Sequence, residues 1–195
     1  MKTLILNGSP HRDGDTAALI NALTAGLLGE VRVVDCYIAD IAPCCDCQRC
    51  RERLACSIND EMQAIYAYLS ECDNVVLASP VHYGELSAML LKAASRFQMY
   101  SSALIFRREA LPVRAKRGAV ILSQGGSGGA ERAFETARLI FQSIGILTAM
   151  SLRRRGQSFP GRHRTAGARG LSSVRSRPMT AANCMSASTE RRTGR

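Results

Sequence analysis

Five short apolar runs, each followed by turn residues and separated by stretches of helical spacing, leave this chain few folds to choose from. The runs are Leu4-Ile5-Leu6, Val31-Arg32-Val33-Val34, Val75-Val76-Leu77-Ala78, Ala119-Val120-Ile121-Leu122 and Ile146-Leu147-Thr148-Ala149. Near-continuous apolar runs of this length read as strands buried on both faces, as in a parallel sheet. Between them Leu19, Leu23 and Leu27 form one helical stripe, and Met62, Ile65, Tyr66 and Leu69 a second. Leu86, Leu90, Ala93 and Phe97 form a third, and Ala133, Ala137, Ile140 and Ile144 a fourth. Asp60 with Gln63 three residues later predicts a capping box at the start of the second helix. Alternating strands and helices with short links predict an α/β three-layer sandwich around a five-stranded parallel sheet. Such sheets bind ligands at the carboxyl ends of their strands, near the switch point.

The unusual residues fall at those ends. Behind the first strand, Asn7-Gly8-Ser9-Pro10-His11-Arg12-Asp13-Gly14-Asp15-Thr16 leads into a helix. Backbone N–H groups, the Ser9 and Thr16 hydroxyls and the positive helix end suit a phosphate, with charge from His11 and Arg12; the plainer reading is a turn capped by Thr or Asp. Behind the third strand, Ser79-Pro80-Val81-His82-Tyr83-Gly84-Glu85 suits a flat ring lying against a loop. Behind the fourth, Ser123-Gln124-Gly125-Gly126-Ser127-Gly128-Gly129 lets backbone approach a ligand closely. Each loop alone reads as a turn, but three on one sheet edge point to a shared ligand. No GxxxxGK[ST] is present, which excludes a nucleoside-triphosphate P-loop, and no GxGxxG follows the first strand.

Leu6-Asn7-Gly8-Ser9-Pro10 through Thr16, then Ser79 to Gly84, then Ser87-Ala88 with Lys92 and Arg96, resembles the NADPH-dependent FMN reductase and iron–sulfur flavoprotein family over residues 1–150. The resemblance implies a flavodoxin-like fold with strand order 2-1-3-4-5. It also implies an FMN phosphate held by Ser9, His11, Gly14, Asp15 and Thr16. The isoalloxazine ring would lie on Pro80, Val81, His82, Tyr83 and Gly84, with Gly125 and Gly126 closing over its other edge. Four residues depart from the family's pattern. His11 stands for the usual Arg, and Asp15 for the usual Asn. His82 stands for an aromatic, often Tyr, and Ser95 for the Asp before Arg96. Asp15 repels a phosphate dianion, so it is expected to turn toward the helix and to lower FMN affinity.

Five of the eight cysteines crowd into residues 44–56, and a tight cluster points to metal or redox chemistry rather than a disulfide framework. Cys44, Cys47, Cys50 and Cys56 have compact spacing that resembles the [4Fe–4S] motif of iron–sulfur flavoproteins. A zinc site with four cysteine ligands and a reducible thiol pair are the alternatives. Cys45 is out of step with the spacing. Cys36 and Cys72 adjoin strands and read as small buried hydrophobes.

The net charge of +10 belongs wholly to the end of the chain. Residues 1–151 carry 15 basic and 15 acidic side chains, whereas residues 152–195 carry 11 Arg and one acid, Glu190. A segment so poor in large apolar side chains predicts a disordered tail over residues 151–195, lacking the helix that should follow a fifth strand. Its abrupt Arg-, Ser- and Gly-rich composition reads as translation in a wrong frame in preference to a nucleic-acid or membrane arm. No apolar run long enough for a membrane span occurs, and the N-terminus lacks a signal-peptide pattern, so the expected location is cytoplasmic.

These parts predict an FMN-dependent oxidoreductase taking hydride from NAD(P)H and passing electrons to a small acceptor or redox protein, with no catalytic side chain required. The resemblance further implies a homo-oligomer. A flavodoxin-like electron carrier and a metal-binding module that has lost flavin are the rival readings.

Overall fold

The computed structural model describes residues 1–111, 114–126, 129–147 and 149–155. Its strands are β1 (Lys2–Asn7), β2 (Glu30–Asp35), β3 (Asn74–His82), β4 (Glu85–Leu86), β5 (Arg117–Gln124) and β6 (Ala149–Arg155). Its α-helices are α1 (Asp15–Ala25), α2 (Met62–Glu71), α3 (Ala88–Ala94), α4 (Gln98–Ser102) and α5 (Glu131–Ser143). The main sheet is parallel in the order β2-β1-β3-β5-β6, with the two-residue β4 paired antiparallel to β3. Setting β4 aside, this is the predicted order 2-1-3-4-5.

Period-two alternation along the strands divides the core between the two faces of the sheet. Leu4, Leu6, Val75, Leu77, Val120 and Leu122 face α2, α3 and α5 in the larger cluster. Ile5, Val76, Ala78 and Ile121 face Ile20 of α1 in the smaller one. All four apolar residues of the second predicted stripe are buried. The third stripe is buried too, but it runs through β4, α3 and the 3-10 turn Ser95–Phe97 rather than one helix.

Three expectations are corrected. The last strand begins where it was expected to end, because Gly145 and Ile146 close α5 instead. The Gly145 N–H bonds the Gln142 carbonyl at 3.1 Å and the Ile146 N–H bonds the Phe141 carbonyl at 2.9 Å, with Gly145 at φ 79°. This Schellman closure uses Ile146 as its apolar residue, so pairing starts only at Gly118↔Ala149. The strand then runs to Arg155, through five residues expected to belong to the tail; it is an edge strand, where charged residues are tolerated. Residues 156–195, and with them the rest of the tail and the question of a last helix, lie outside the described residues.

The capping box forms by half. Asp60 Oδ1 accepts the Met62 N–H at 3.0 Å, but the Gln63 amide donates to the Ile58 carbonyl at 2.7 Å instead of reaching back to the cap. The demand for donors comes from the carbonyls of the preceding cysteine loop. Nor is α1 capped by a Thr or Asp side chain: its N-cap is Gly14, with no side-chain cap, and Asp15 stands in its first turn.

Candidate functional site

The loop behind β1 is built by local bonds. Gly8 donates its N–H to the Ala78 carbonyl of β3 at 2.7 Å, Asn7 Oδ1 accepts the Ser9 N–H at 3.0 Å, and Ser9 Oγ accepts the His11 N–H at 3.3 Å. Ser9 and Thr16 are buried, whereas His11 and Asp15 are exposed. The loop delivers the chain to the N-terminus of α1, where the absence of a side-chain cap fits an anion. Thr16 Oγ1 lies 2.7 Å from Ser123 Oγ, tying the first turn of α1 to the carboxyl end of β5.

Pro80, Val81 and His82 are not loop residues, as their turn-like composition predicted, but the last residues of β3. The strand continues because His82 and Val81 pair with Glu85 and Leu86 of β4. Tyr83 and Gly84 make the two-residue hairpin turn, with φ of 54° and 80°. Positive φ at both positions is what such a turn requires, and it is uncommon for Tyr. The turn leaves the Tyr83 ring wholly in solvent, at 103% relative exposure. Its base is fixed from both sides. Ser79 Oγ accepts the Ser87 N–H at 2.8 Å, the Gly84 carbonyl accepts the Ala133 N–H at 3.0 Å, and the Thr136 hydroxyl donates to Glu85 Oε2 at 2.7 Å. Gly125 and Gly126 follow β5 and are exposed. The three segments therefore meet at one carboxyl edge, as the spacing predicted. An uncapped helix end beside an open, glycine-bearing edge with a free-standing aromatic fits a phosphate-bearing flat ring.

A second constellation lies between β2 and α2. Cys44, Cys47, Cys50 and Cys56 line one cavity with Ser57, Arg96, Met99 and Ser102. All four are free thiols. Three of them are held from outside the loop or by a neighbour within it. The Cys44 N–H donates to Ser95 Oγ at 3.0 Å, Cys47 Sγ lies 3.0 Å from Ser57 Oγ, and Cys50 Sγ donates to Ser102 Oγ at 3.2 Å. Arg107 donates to the Cys50 carbonyl. Burial pushes the Cys44 thiol above its ordinary pKa, and the neighbouring thiols Cys56, Cys50 and Cys47 push it further. Cys36 and Cys72 are fully buried in the core, and burial raises the Cys36 thiol to about 12, out of reach of redox or ligand chemistry at neutral pH.

Composition and spacing gave no hint of what fixes this loop. Arg96 is 1% exposed. Its Nη1 donates to Asp60 Oδ2 at 2.5 Å and to the Ala42 carbonyl at 2.9 Å, and its Nη2 donates to Asp60 Oδ1 and the Ile58 carbonyl, both at 3.2 Å. Asp60 also accepts the Ala42 N–H at 2.9 Å. One ion pair thus closes both ends of the cysteine loop. Burial works against the charge on Arg96, but the bond to Asp60 outweighs it and holds the guanidinium protonated. The Tyr66 hydroxyl donates to the Arg96 carbonyl at 2.8 Å. Two buried cationic N–H donors, Arg96 Nε and Arg107 Nη2, remain without acceptors here. Orphan cationic donors next to four thiols fit an anionic occupant such as a thiolate-ligated cluster.

Residues 1–154 match the family described as NADPH-dependent FMN reductase. An iron-sulfur flavoprotein of Methanosarcina thermophila is 32% identical over 141 residues, covering 70% of this chain and 70% of that protein. One from Methanocaldococcus jannaschii is 34% identical over 93 residues, covering 46% of this chain and 48% of that protein, about half its length. In fold, the chain is similar to an FMN-dependent NADH-azoreductase of Bacillus anthracis solved in complex with FMN. Their TM-score is 0.54 at 15% identity, over 82% of this chain and 89% of that one.

Proposed function

Because the chain belongs to the NADPH-dependent FMN reductase family, we propose that it is an FMN-dependent NAD(P)H oxidoreductase that passes electrons to a small acceptor or a redox protein. The observation that carries this reading is the meeting of three loops at one carboxyl edge, tied by the Gly8–Ala78 and Thr16–Ser123 bonds. FMN, when bound, supplies the chemistry, accepting a hydride and releasing electrons singly or in pairs. The chain's residues bind and orient it. Ser9, Thr16 and the N-terminus of α1, with Gly14 as N-cap, hold the phosphate, and His11 offers a ring N–H donor from the loop's exposed side. Asp15 opposes the phosphate and weakens the site. Pro80, Val81, His82, Tyr83 and Gly84 support the ring, and Gly125 and Gly126 flank its other edge. No side chain is assigned a proton-transfer role.

Purified protein should release FMN, not FAD, and should oxidise NAD(P)H in the steady state with a quinone or free flavin as acceptor. Flavin binding without such turnover would favour an electron carrier, and a colourless protein that takes up no FMN would defeat the reading.

In the second site, Cys44, Cys47, Cys50 and Cys56 would ligate a [4Fe–4S] cluster, which when bound supplies one-electron storage. Among the described residues no three His, Cys, Asp or Glu side chains are grouped to hold a single metal ion. The spacing of Cys44, Cys47, Cys50 and Cys56, which resembles the motif of iron–sulfur flavoproteins, favours the cluster over zinc. Anaerobic purification should give iron and inorganic sulfide in equal amounts; zinc, or a disulfide with no metal, would refute it.

A further inference from the structure

We propose that Arg96 is the buried counter-charge of the thiol cavity, donating from its Nε to the anionic group held there and raising that group's reduction potential. The inference rests on the cluster reading above and goes beyond it by assigning a tuning role to a residue that is not a ligand.

The geometry separates two jobs within one side chain. The two terminal nitrogens of Arg96 carry four hydrogens, and all four go to Asp60, Ala42 and Ile58. They clamp the loop. The fifth donor, Nε–H, is buried with no acceptor, although Arg96 lines the cavity. A buried guanidinium donor left unpaired is costly unless a ligand completes it. The other formal charges on the cavity wall are Asp46 and Arg51, both exposed and therefore screened by solvent. Asp60 neutralises much of Arg96's charge, but it contacts the terminal nitrogens and leaves Nε as the positive end of the pair. Four thiolates around an iron–sulfur core make a net anion, and one more electron makes it more negative. A fixed N–H dipole on a cation favours the reduced form, since cluster potentials follow net charge and hydrogen bonds to sulfur.

Two variants test this. Arg96→Lys keeps a cation beside Asp60 while removing the Nε donor. The double variant Asp60→Asn with Arg96→Gln replaces the ion pair by a neutral hydrogen-bonding pair, which guards against a buried unpaired carboxylate. FMN content reports folding, iron and sulfide report assembly, and an anaerobic EPR-monitored titration reports the potential. The expected result is FMN retained in both variants and a more negative cluster potential in each, larger in the double variant. If either folded variant keeps its iron and titrates at the wild-type potential, the inference is overturned. Reduced iron content with an unchanged potential in the remaining cluster would show a loop clamp only, and also overturn it. Wild-type protein without iron and sulfide would bring down the cluster reading, and the role of Arg96 with it.

Discussion

Gly8 shows how little freedom the proposed flavin edge has. A Cβ built there would lie 2.5 Å from Ser87 Oγ, 2.7 Å from Leu90 Cβ and 3.3 Å from the Ala78 carbonyl. The first loop lies so close to α3 and β3 that no side chain fits. Gly8→Ala should therefore cost about 1–3 kcal/mol by overpacking and push the loop off its Ala78 bond. Chemical denaturation should show the lower midpoint, and FMN titration should show weaker binding with it. Tyr83 is the opposite case. Its ring makes no core contact, and its backbone sits at positive φ. Tyr83→Ala should leave stability within about 0.5 kcal/mol of wild type, as surface changes do, while raising the FMN dissociation constant severalfold. Equal FMN affinity in the two proteins would remove Tyr83 from the ring-binding set.

At the scale of elements, the sheet's lower edge is pinned by one carboxylate. Asp73, just before β3, accepts the Lys2 backbone N–H at 2.7 Å where β1 begins, and Lys2 Nζ reaches Glu71 at 2.6 Å. The Lys2 N–H bond holds Asp73 below the ordinary aspartate pKa of 3.8, and the Lys2 ammonium does the same for Glu71. A folded pKa below the unfolded one means stabilisation that is fully present above about pH 4–5 and lost as pH falls through the depressed values. Unfolding free energy should decline across that acid window, and Asp73→Asn should flatten the decline while lowering stability at neutral pH. A pH profile unchanged by the substitution would assign the acid sensitivity elsewhere. The strands and both covered faces of the sheet were legible from sequence because apolar runs and stripes are set by burial, whereas the strand order came only with the family resemblance. The hairpin at Tyr83 was not, since Pro80 and His82 look like turn residues and only the β4 partner keeps them in a strand. The start of β6 was missed because Ile146 is apolar for a helix closure, not for a strand. Arg96 was visible only as part of a resemblance. Its role depends on meeting Asp60, Ala42 and Ile58, which are distant in sequence and carry no periodic signal.

At the scale of the whole molecule the sheet is covered unequally. The face toward α2, α3 and α5 carries the larger cluster, whereas among the described residues α1 alone adds helical side chains to the other. Val33, paired with Ile5, and Met150, paired with Ala119, lie on that thinner face and are 48% and 78% exposed. Apolar side chains left open at both flanks of one helix favour association between copies. We expect a chain shortened to residues 1–155 to keep FMN binding and its denaturation midpoint, because both described clusters and all three segments of the proposed flavin site fall within those residues. It should also self-associate as concentration rises. Met150→Lys should shift its sedimentation toward the monomer without changing stability by more than about 0.5 kcal/mol, since an exposed edge position tolerates charge. A marked loss of stability on shortening would mean that residues beyond 155 cover the α1 face. In that case Met150→Lys in the full chain should destabilise the fold instead of dispersing an oligomer, and the two results together would locate the missing layer.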